Sequence, residues 1–156
     1  MITIDIPGYG CLRLEHLVLD FNGTLARDGR LLVGVRERLA SLSKDLTIHV
    51  LTADTFGQAR AELEGIPCKL SILPKDGQDV GKREYVEVMG ADRTVAGGNG
   101  RNDRLMLEAA ALGIAVILEE GAAAVTLAAA DVVCGSICDA LDLLRHPLRL
   151  VATLRS

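Results

Sequence analysis

A chain of 156 residues, 49% of them hydrophobic, can bury a substantial core and is expected to form a single domain over residues 1–156. A formal charge of −4 excludes the basic footprint of a nucleic-acid binder or of a protein drawn to anionic membranes, and the longest apolar run, residues 109–118, falls well short of the ~20 residues a membrane helix needs. Aromatic residues make up 3% and Trp is absent, so the core must be built from Leu, Val, Ile and Ala, as in strands covered by helices on both faces.

In chain order, residues 2–15 alternate apolar and polar around Pro7-Gly8-Tyr9-Gly10, which predicts an N-terminal β-hairpin. Asp5 interrupts this segment and it has no basic start, so it does not read as a signal peptide. From there strand-like and helix-like patterns alternate. Strands are predicted over 16–20, 46–51, 68–72, 93–98, 113–118 and 131–135, and helices over 33–43, 55–64, 78–89, 102–112 and 122–129, with a helical tail from Ile137. Asp54 and Asn102 stand where N-caps would begin helices; Gly65 and Gly113 stand where glycines would end them. Regular βα alternation implies an α/β fold, a doubly wound parallel sheet in three αβα layers, with ligands gathering beyond the carboxyl ends of the strands.

Three of those strand ends are polar: Asp20 after HLVL, Thr52 after IHVL, and GGNGRND (97–103) after RTVA. A lysine, Lys82 in KREYVEVMG, could reach over the same crevice from a helix; Lys75 competes for that role, but Lys82 begins the helical pattern. GGNGRND also follows a strand and precedes a helix, as a dinucleotide fingerprint would. Asp103 stands where the third glycine is needed, and a carboxylate there would repel a pyrophosphate. His16, His49 and His146 are scattered, and His49 sits inside an apolar strand, which favours packing or hydrogen bonding over catalysis. The four cysteines (Cys11, Cys68, Cys134, Cys138) form no CxxC pair and no zinc spacing, so a reduced, cytoplasmic protein is the simplest reading.

Taken in order, these residues resemble the four motifs of the haloacid dehalogenase-like superfamily of phosphohydrolases. Asp20-Phe21-Asn22-Gly23-Thr24 is similar to its first motif, DxDGT; Thr52 in VLTAD to its second; Lys82 to its third; and Gly98-Asn99-Gly100-Arg101-Asn102-Asp103 to its fourth, GDGxND. Within the superfamily, LTAD, KREYVEVMG and GNGRNDRLMLEAAALGIAV look most like the phosphorylation domain of P-type ATPases, without transmembrane helices or the large nucleotide-binding insertion. The likeness covers the chain from residue 16 onward.

The resemblance implies a Rossmann-like core and a Mg²⁺-dependent phosphohydrolase or phosphotransferase. In it Asp20 attacks phosphorus and forms an aspartyl phosphate. Lys82, Thr52 and the backbone of Phe21, Asn22 and Gly23 would hold the phosphoryl group, and Asp20, the Asn22 carbonyl, Asn99 and Asp103 would hold Mg²⁺. Two departures qualify it. The Asn22 position holds an acid in the phosphatases, and Asn22 cannot shuttle a proton; losing a general acid-base costs ~10²–10⁴ in rate, so slow turnover is expected. Asn99 replaces a metal-binding aspartate, and an amide oxygen brings no charge, so metal affinity should fall. Both asparagines precede glycine, the pairing most prone to deamidation. The alternative is a catalytically weak or inactive module that binds phosphate or a partner.

The intervals between Asp20 and Thr52 and between Thr52 and Lys82 each hold about 30 residues, room for a hairpin-like flap at Asp28-Gly29, helices and a strand but for no cap domain. An open site favours a macromolecular phosphorylated substrate, or a small one covered by a second copy in a homo-oligomer.

Overall fold

The computed structural model describes residues 1–54 and 57–156. Its centre is a six-stranded, all-parallel sheet. It is built from β3 (His16–Asp20), β6 (Thr47–Thr52), β7 (Lys69–Ile72), β8 (Thr94–Gly98), β9 (Leu112–Val116) and β10 (Val132–Cys134), in the spatial order β10-β9-β8-β3-β6-β7. The chain lays down β3, β6 and β7 in one direction, then returns to the other side of β3 with β8, β9 and β10. That reversal opens a crevice beyond the ends of β3 and β8, the position at which doubly wound sheets bind ligands.

Alternation along the strands sorts their side chains to two faces. Leu17, Leu19, Ile48, Val50, Val95, Ile114 and Val116 join a large apolar cluster that also holds residues of α1 (Val35–Leu42) and α6 (Ile137–Arg145). Val18, Leu51, Ala96 and Ala115 face the opposite way, onto α3 (Gln78–Met89) and α4 (Arg104–Ala109). The result is three αβα layers. Ahead of the sheet, β1 (Ile2–Ile6) and β2 (Gly10–Leu14) form the expected antiparallel hairpin and bury Ile4, Ile6, Leu12 and Leu14 in the larger cluster. Among the described residues no helix is long and apolar enough to cross a membrane.

No inserted domain interrupts the described residues between Asp20 and Lys82. The first interval carries a hairpin of β4 (Ala26–Arg27) and β5 (Arg30–Leu31), followed by α1; the second carries α2 (Gln58–Glu62) and β7. Asp28 and Gly29 turn the small hairpin with φ of 50° and 78°, the left-handed pair that an Asp-Gly turn of the primed type requires. The remaining helices are α5 (Ala124–Ala129), between β9 and β10, and α7 (Pro147–Leu154) after α6.

Several local expectations change. The helix predicted over 102–112 becomes a 3₁₀ turn, Arg101–Asp103, followed by the shorter α4. Asn102 is therefore not an N-cap; it lies inside that turn and donates to Gln78 Oε1 at 2.7 Å. Gly113 ends no helix either. It lies in β9, where a Cβ would stand 2.6 Å from the Leu107 carbonyl oxygen, so glycine is needed for α4 to approach the strand. Lys82 sits one turn inside α3 rather than at its start. Gly57, not Asp54, is the N-cap of α2, though the Asp54 carboxylate accepts from the Ala59 amide at 2.6 Å; the predicted start of that helix at 55 and 56 lies outside the described residues.

Candidate active site

The apolar run of β3 buries Leu17, Val18 and Leu19 and delivers Asp20 to the carboxyl edge of the sheet. A tight turn follows. The Phe21 ring is wholly buried, its carbonyl accepts from the amides of Thr24, Leu25 and Ala26, and Gly23 takes φ of 76°. Asn22 is exposed on this turn, with its backbone bridged to Ala26.

Lys82, 1% exposed, rises from α3 beneath the turn; its Nζ donates to Asp20 Oδ1 at 2.8 Å and to Asp103 Oδ1 at 2.6 Å. Lys82, not Lys75, therefore reaches Asp20. Lys75 instead lines the crevice wall. Asp103 is fully buried, and its Oδ2 accepts from the amides of Asn99 at 2.9 Å and Gly100 at 2.8 Å. Gly98 permits this packing, since a Cβ there would stand 2.5 Å from the Asp103 carboxyl carbon. The Thr52 hydroxyl accepts from the Asp54 amide at 3.1 Å, which leaves its own proton to point into the crevice.

Thr24, buried beneath the turn, donates from one hydroxyl towards two oxygens, Asp20 Oδ2 and Asn99 Oδ1, each at 3.3 Å. One proton cannot satisfy both acceptors. The Asn99 amide orientation is fixed by its Nδ2, which donates to the Gly121 carbonyl at 3.1 Å.

Two buried carboxylates share one ammonium here, a net charge of −1. Burial, and then the Asp103 carboxylate, push the Asp20 carboxyl up to about 7 against the lowering pull of Lys82. Burial alone would lower Lys82, but Asp20 and Asp103 outweigh it and raise the lysine above its ordinary range. Lys82 stays protonated, and Asp20 changes charge near neutrality.

Asp20, Asn22, Thr52, Asn99 and Glu120 line a crevice of about 430 Å³, with Lys75, Gln78 and Asn102 along its rim. The structure thus brings together Asp20, Asn22, Thr52, Lys82 and Asn99. Two sequence expectations change. Asp103 does not line the crevice; it holds Lys82 and the loop after β8. Of the amides assigned to phosphate, that of Gly23 already donates to the Ala26 carbonyl at 2.9 Å. Thr24 and Glu120 escaped the sequence reading. Thr24 lies in the DxDGT-like stretch and needed only a partner to be noticed. Glu120 belongs to no motif, and its signal is position alone, on the turn after β9 at the same sheet edge.

Whether a metal fits can be judged from the donors. Asp20, the Asn22 carbonyl, Asn99 Oδ1 and Glu120 offer oxygen only, and two of those oxygens compete for a single hydroxyl proton. Such a set suits a hard cation such as Mg²⁺ that keeps several waters. Among the described residues no group of three or more His, Cys, Asp or Glu side chains forms a ready cage.

No protein-family model matches the chain. Two uncharacterised proteins of Methanocaldococcus jannaschii do: one is 51% identical over 63 residues, 40% of this chain and 68% of that protein, and the other 49% identical over 39 residues, 25% of this chain and 89% of that protein. The chain belongs to one family with them. Among solved structures it is similar to the 3-deoxy-D-manno-octulosonate 8-phosphate phosphatase of Moraxella catarrhalis, solved with magnesium and phosphate ions (TM-score 0.70, 14% identity, 91% of this chain and 94% of that one). The cobalt-bound phosphatase of the same name from Haemophilus influenzae superposes with a TM-score of 0.72 at 16% identity, over 92% and 94% of the two chains. A putative haloacid dehalogenase family hydrolase of Streptomyces avermitilis gives 0.63 at 23% identity, over 91% and 84%. The fold is that of the haloacid dehalogenase-like superfamily.

Proposed function

We propose that this chain, with its haloacid dehalogenase-like fold, is a Mg²⁺-dependent phosphohydrolase that acts through Asp20 and turns over slowly. One observation carries the reading: Asp20 stands at the sheet's reversal point with its carboxylate gripped by Lys82 and Thr24 and facing an open crevice. The neighbour of the same fold solved with magnesium and phosphate ions supports it.

Lys82 and Thr24 each hold one oxygen of Asp20, which sets the plane of the carboxylate before substrate arrives. An oxygen of Asp20 attacks phosphorus in line, the bond to the leaving oxygen breaks, and an aspartyl phosphate forms; water then attacks phosphorus and releases phosphate and Asp20. The Thr52 hydroxyl stabilises charge on the phosphoryl oxygens, and Lys82, held by Asp20 and Asp103, adds its positive charge from behind the carboxylate. Asp20, the Asn22 carbonyl and Asn99 would hold Mg²⁺, which when bound supplies further charge neutralisation at the phosphoryl group. Asn22 gives no proton to the leaving oxygen and takes none from water, so both steps rely on solvent, and activated esters are turned over best.

The substrate class is a phosphorylated compound, and the uncapped crevice accommodates a macromolecular one or a second copy of the chain as cover. A cytoplasmic location and the likeness to P-type ATPase phosphorylation domains belong to the same proposal. The altered residues Asn22 and Asn99 support a second reading, a phosphate-binding module without turnover. Mg²⁺-dependent hydrolysis of p-nitrophenyl phosphate and acetyl phosphate by the wild type, Asp20→Asn and Asn22→Asp separates the two. Loss in the first variant and a rise in the second establish the nucleophile and the missing acid. Silence in the wild type and in Asn22→Asp alike turns the reading to the binding module.

A further inference from the structure

We propose that Glu120 is a metal-binding residue of this site, supplying the carboxylate that position 99 lacks from a turn that the Asn99 side chain helps to hold in place. The inference rests on the Mg²⁺-dependent reading above and extends it to a residue outside the four motifs.

The crevice wall contains Glu120 together with Asp20, Asn22 and Asn99. Where a Cβ on Gly23 would stand, Glu120 Oε2 already touches, and the Asn99 side chain lies 2.6 Å away through Nδ2 and 3.0 Å through Oδ1. The carboxylate, the amide and the backbone of residues 22 and 23 therefore converge on one small volume. Any side chain at 23 would fill it.

The turn that carries Glu120 is closed by the Gly121 amide donating to the Leu118 carbonyl at 2.9 Å, with Gly121 at φ of 72°. Two bonds attach it to residue 99: the Ala123 amide donates to the Asn99 backbone carbonyl at 2.9 Å, and Asn99 Nδ2 donates to the Gly121 carbonyl, one residue beyond Glu120, at 3.1 Å. An aspartate at 99 has no N–H to offer and would set its own oxygen against that carbonyl. At this position the chain has either an acid or the tether. It has the tether, and the tethered turn bears an acid.

The two acids of the turn differ. Glu119 pairs with Arg27 of the β4–β5 hairpin, whereas among the described residues no ion pair engages Glu120. Mg²⁺ is usually held by one or two carboxylates, with water completing the octahedron; Asp20 and Glu120 make that number. Glu120 is exposed, and its Oε2 already lies with the Asn99 amide beside Gly23.

The test is direct metal binding: Mn²⁺ followed by loss of its free electron-paramagnetic-resonance signal, and Mg²⁺ by calorimetry, on the wild type, Glu120→Gln, Glu119→Gln, Asn99→Asp and the Asn99→Asp/Glu120→Gln pair. Glu120→Gln is expected to weaken binding by at least about tenfold, since loss of a group that merely supports a metal ligand already costs ~10–100-fold. Glu119→Gln should bind as the wild type does. Asn99→Asp should tighten binding far more in the Glu120→Gln background than in the wild type, because there the added charge is the one missing. Equal dissociation constants for the wild type and Glu120→Gln, or the same change on Asn99→Asp in both backgrounds, overturn the proposal while leaving the metal site standing. A wild type that binds neither ion overturns the Mg²⁺-dependent reading itself.

Discussion

Helix α3 presents two polar clusters to the sheet, one buried and one half-buried, three residues apart and opposite in character. Lys82 holds two carboxylates at the carboxyl edge. Tyr85 meets His49 Nδ1 at 2.9 Å and Ser71 Oγ at 3.4 Å, and His49 Nε2 lies 3.3 Å from His16 Nδ1. The first cluster carries charge that is costly to bury and shifts its acid upward. The second is kept neutral: burial, then the repulsion a protonated His16 would exert and the Lys69 charge, lower His49 to about 4, and burial chiefly lowers His16 as well. A neutral network ties a helix to a strand at low cost, whereas a charged one in the interior is weak evidence for stability and a pointer to chemistry.

The largest way to break this contrast is Lys82→Met. It strands two buried carboxylates and should cost ~3–5 kcal/mol of stability, read by urea unfolding, with hydrolysis falling to background. A loss below 1 kcal/mol would mean the cluster is solvated in practice. Tyr85→Phe removes a hydroxyl from the neutral cluster and should cost ~1–2 kcal/mol with turnover unchanged. A marked drop in turnover would show that α3 couples the two.

The pH dependence sharpens the difference, because the two clusters act with opposite sign. Asp20 is raised to about 7, so its contribution to stability is complete below the ordinary carboxyl range near 3.8 and is lost as pH rises through 7. His49 is lowered to about 4, so its contribution is present above 6.5 and is lost as pH falls towards 4. Unfolding free energies between pH 4 and 7.5 should therefore show a steeper acid loss in Asp20→Asn than in the wild type. In His49→Gln the acid loss should be reduced and the alkaline loss left plain. A smaller effect is expected for Lys75→Ala at the crevice rim, a rise in KM of about 2–5-fold with kcat kept, which is what an exposed charge contact is worth. Smallest is chemical ageing. Asn22, exposed on its turn, should deamidate before Asn99, whose side chain and following amide are both engaged, as peptide mass spectrometry would show.

The sheet, its strand limits to within two residues, and the meeting of Asp20, Thr52 and Lys82 were legible in the sequence because buried parallel strands read as apolar runs and their ends as polar breaks. What was not legible depends on distance across the chain. Asp103 looked like a crevice ligand, yet the glycine at 98 lets it fold under the loop and grip Lys82. Gly113 looked like a helix end, yet a carbonyl from α4 decides its identity. His49 could be placed inside a strand, but its partner Tyr85 lies 36 residues on, and nothing local announces the pair.

The central place of β3 also governs when the site can exist. This strand is made before every other strand of the sheet, yet its neighbour β8 starts at Thr94, and Lys82 and Asp103 likewise arrive long after Asp20. On a ribosome, Asp20 emerges as an ordinary solvated carboxylate beside incomplete partners. Its burial, its shifted acidity and its grip on Lys82 all appear together, late, when β8 slots in beside it. A chain halted after β7 would hold half a sheet with β3 as a bare edge, a species open to pairing with other chains and without the Lys82 contact that grips Asp20.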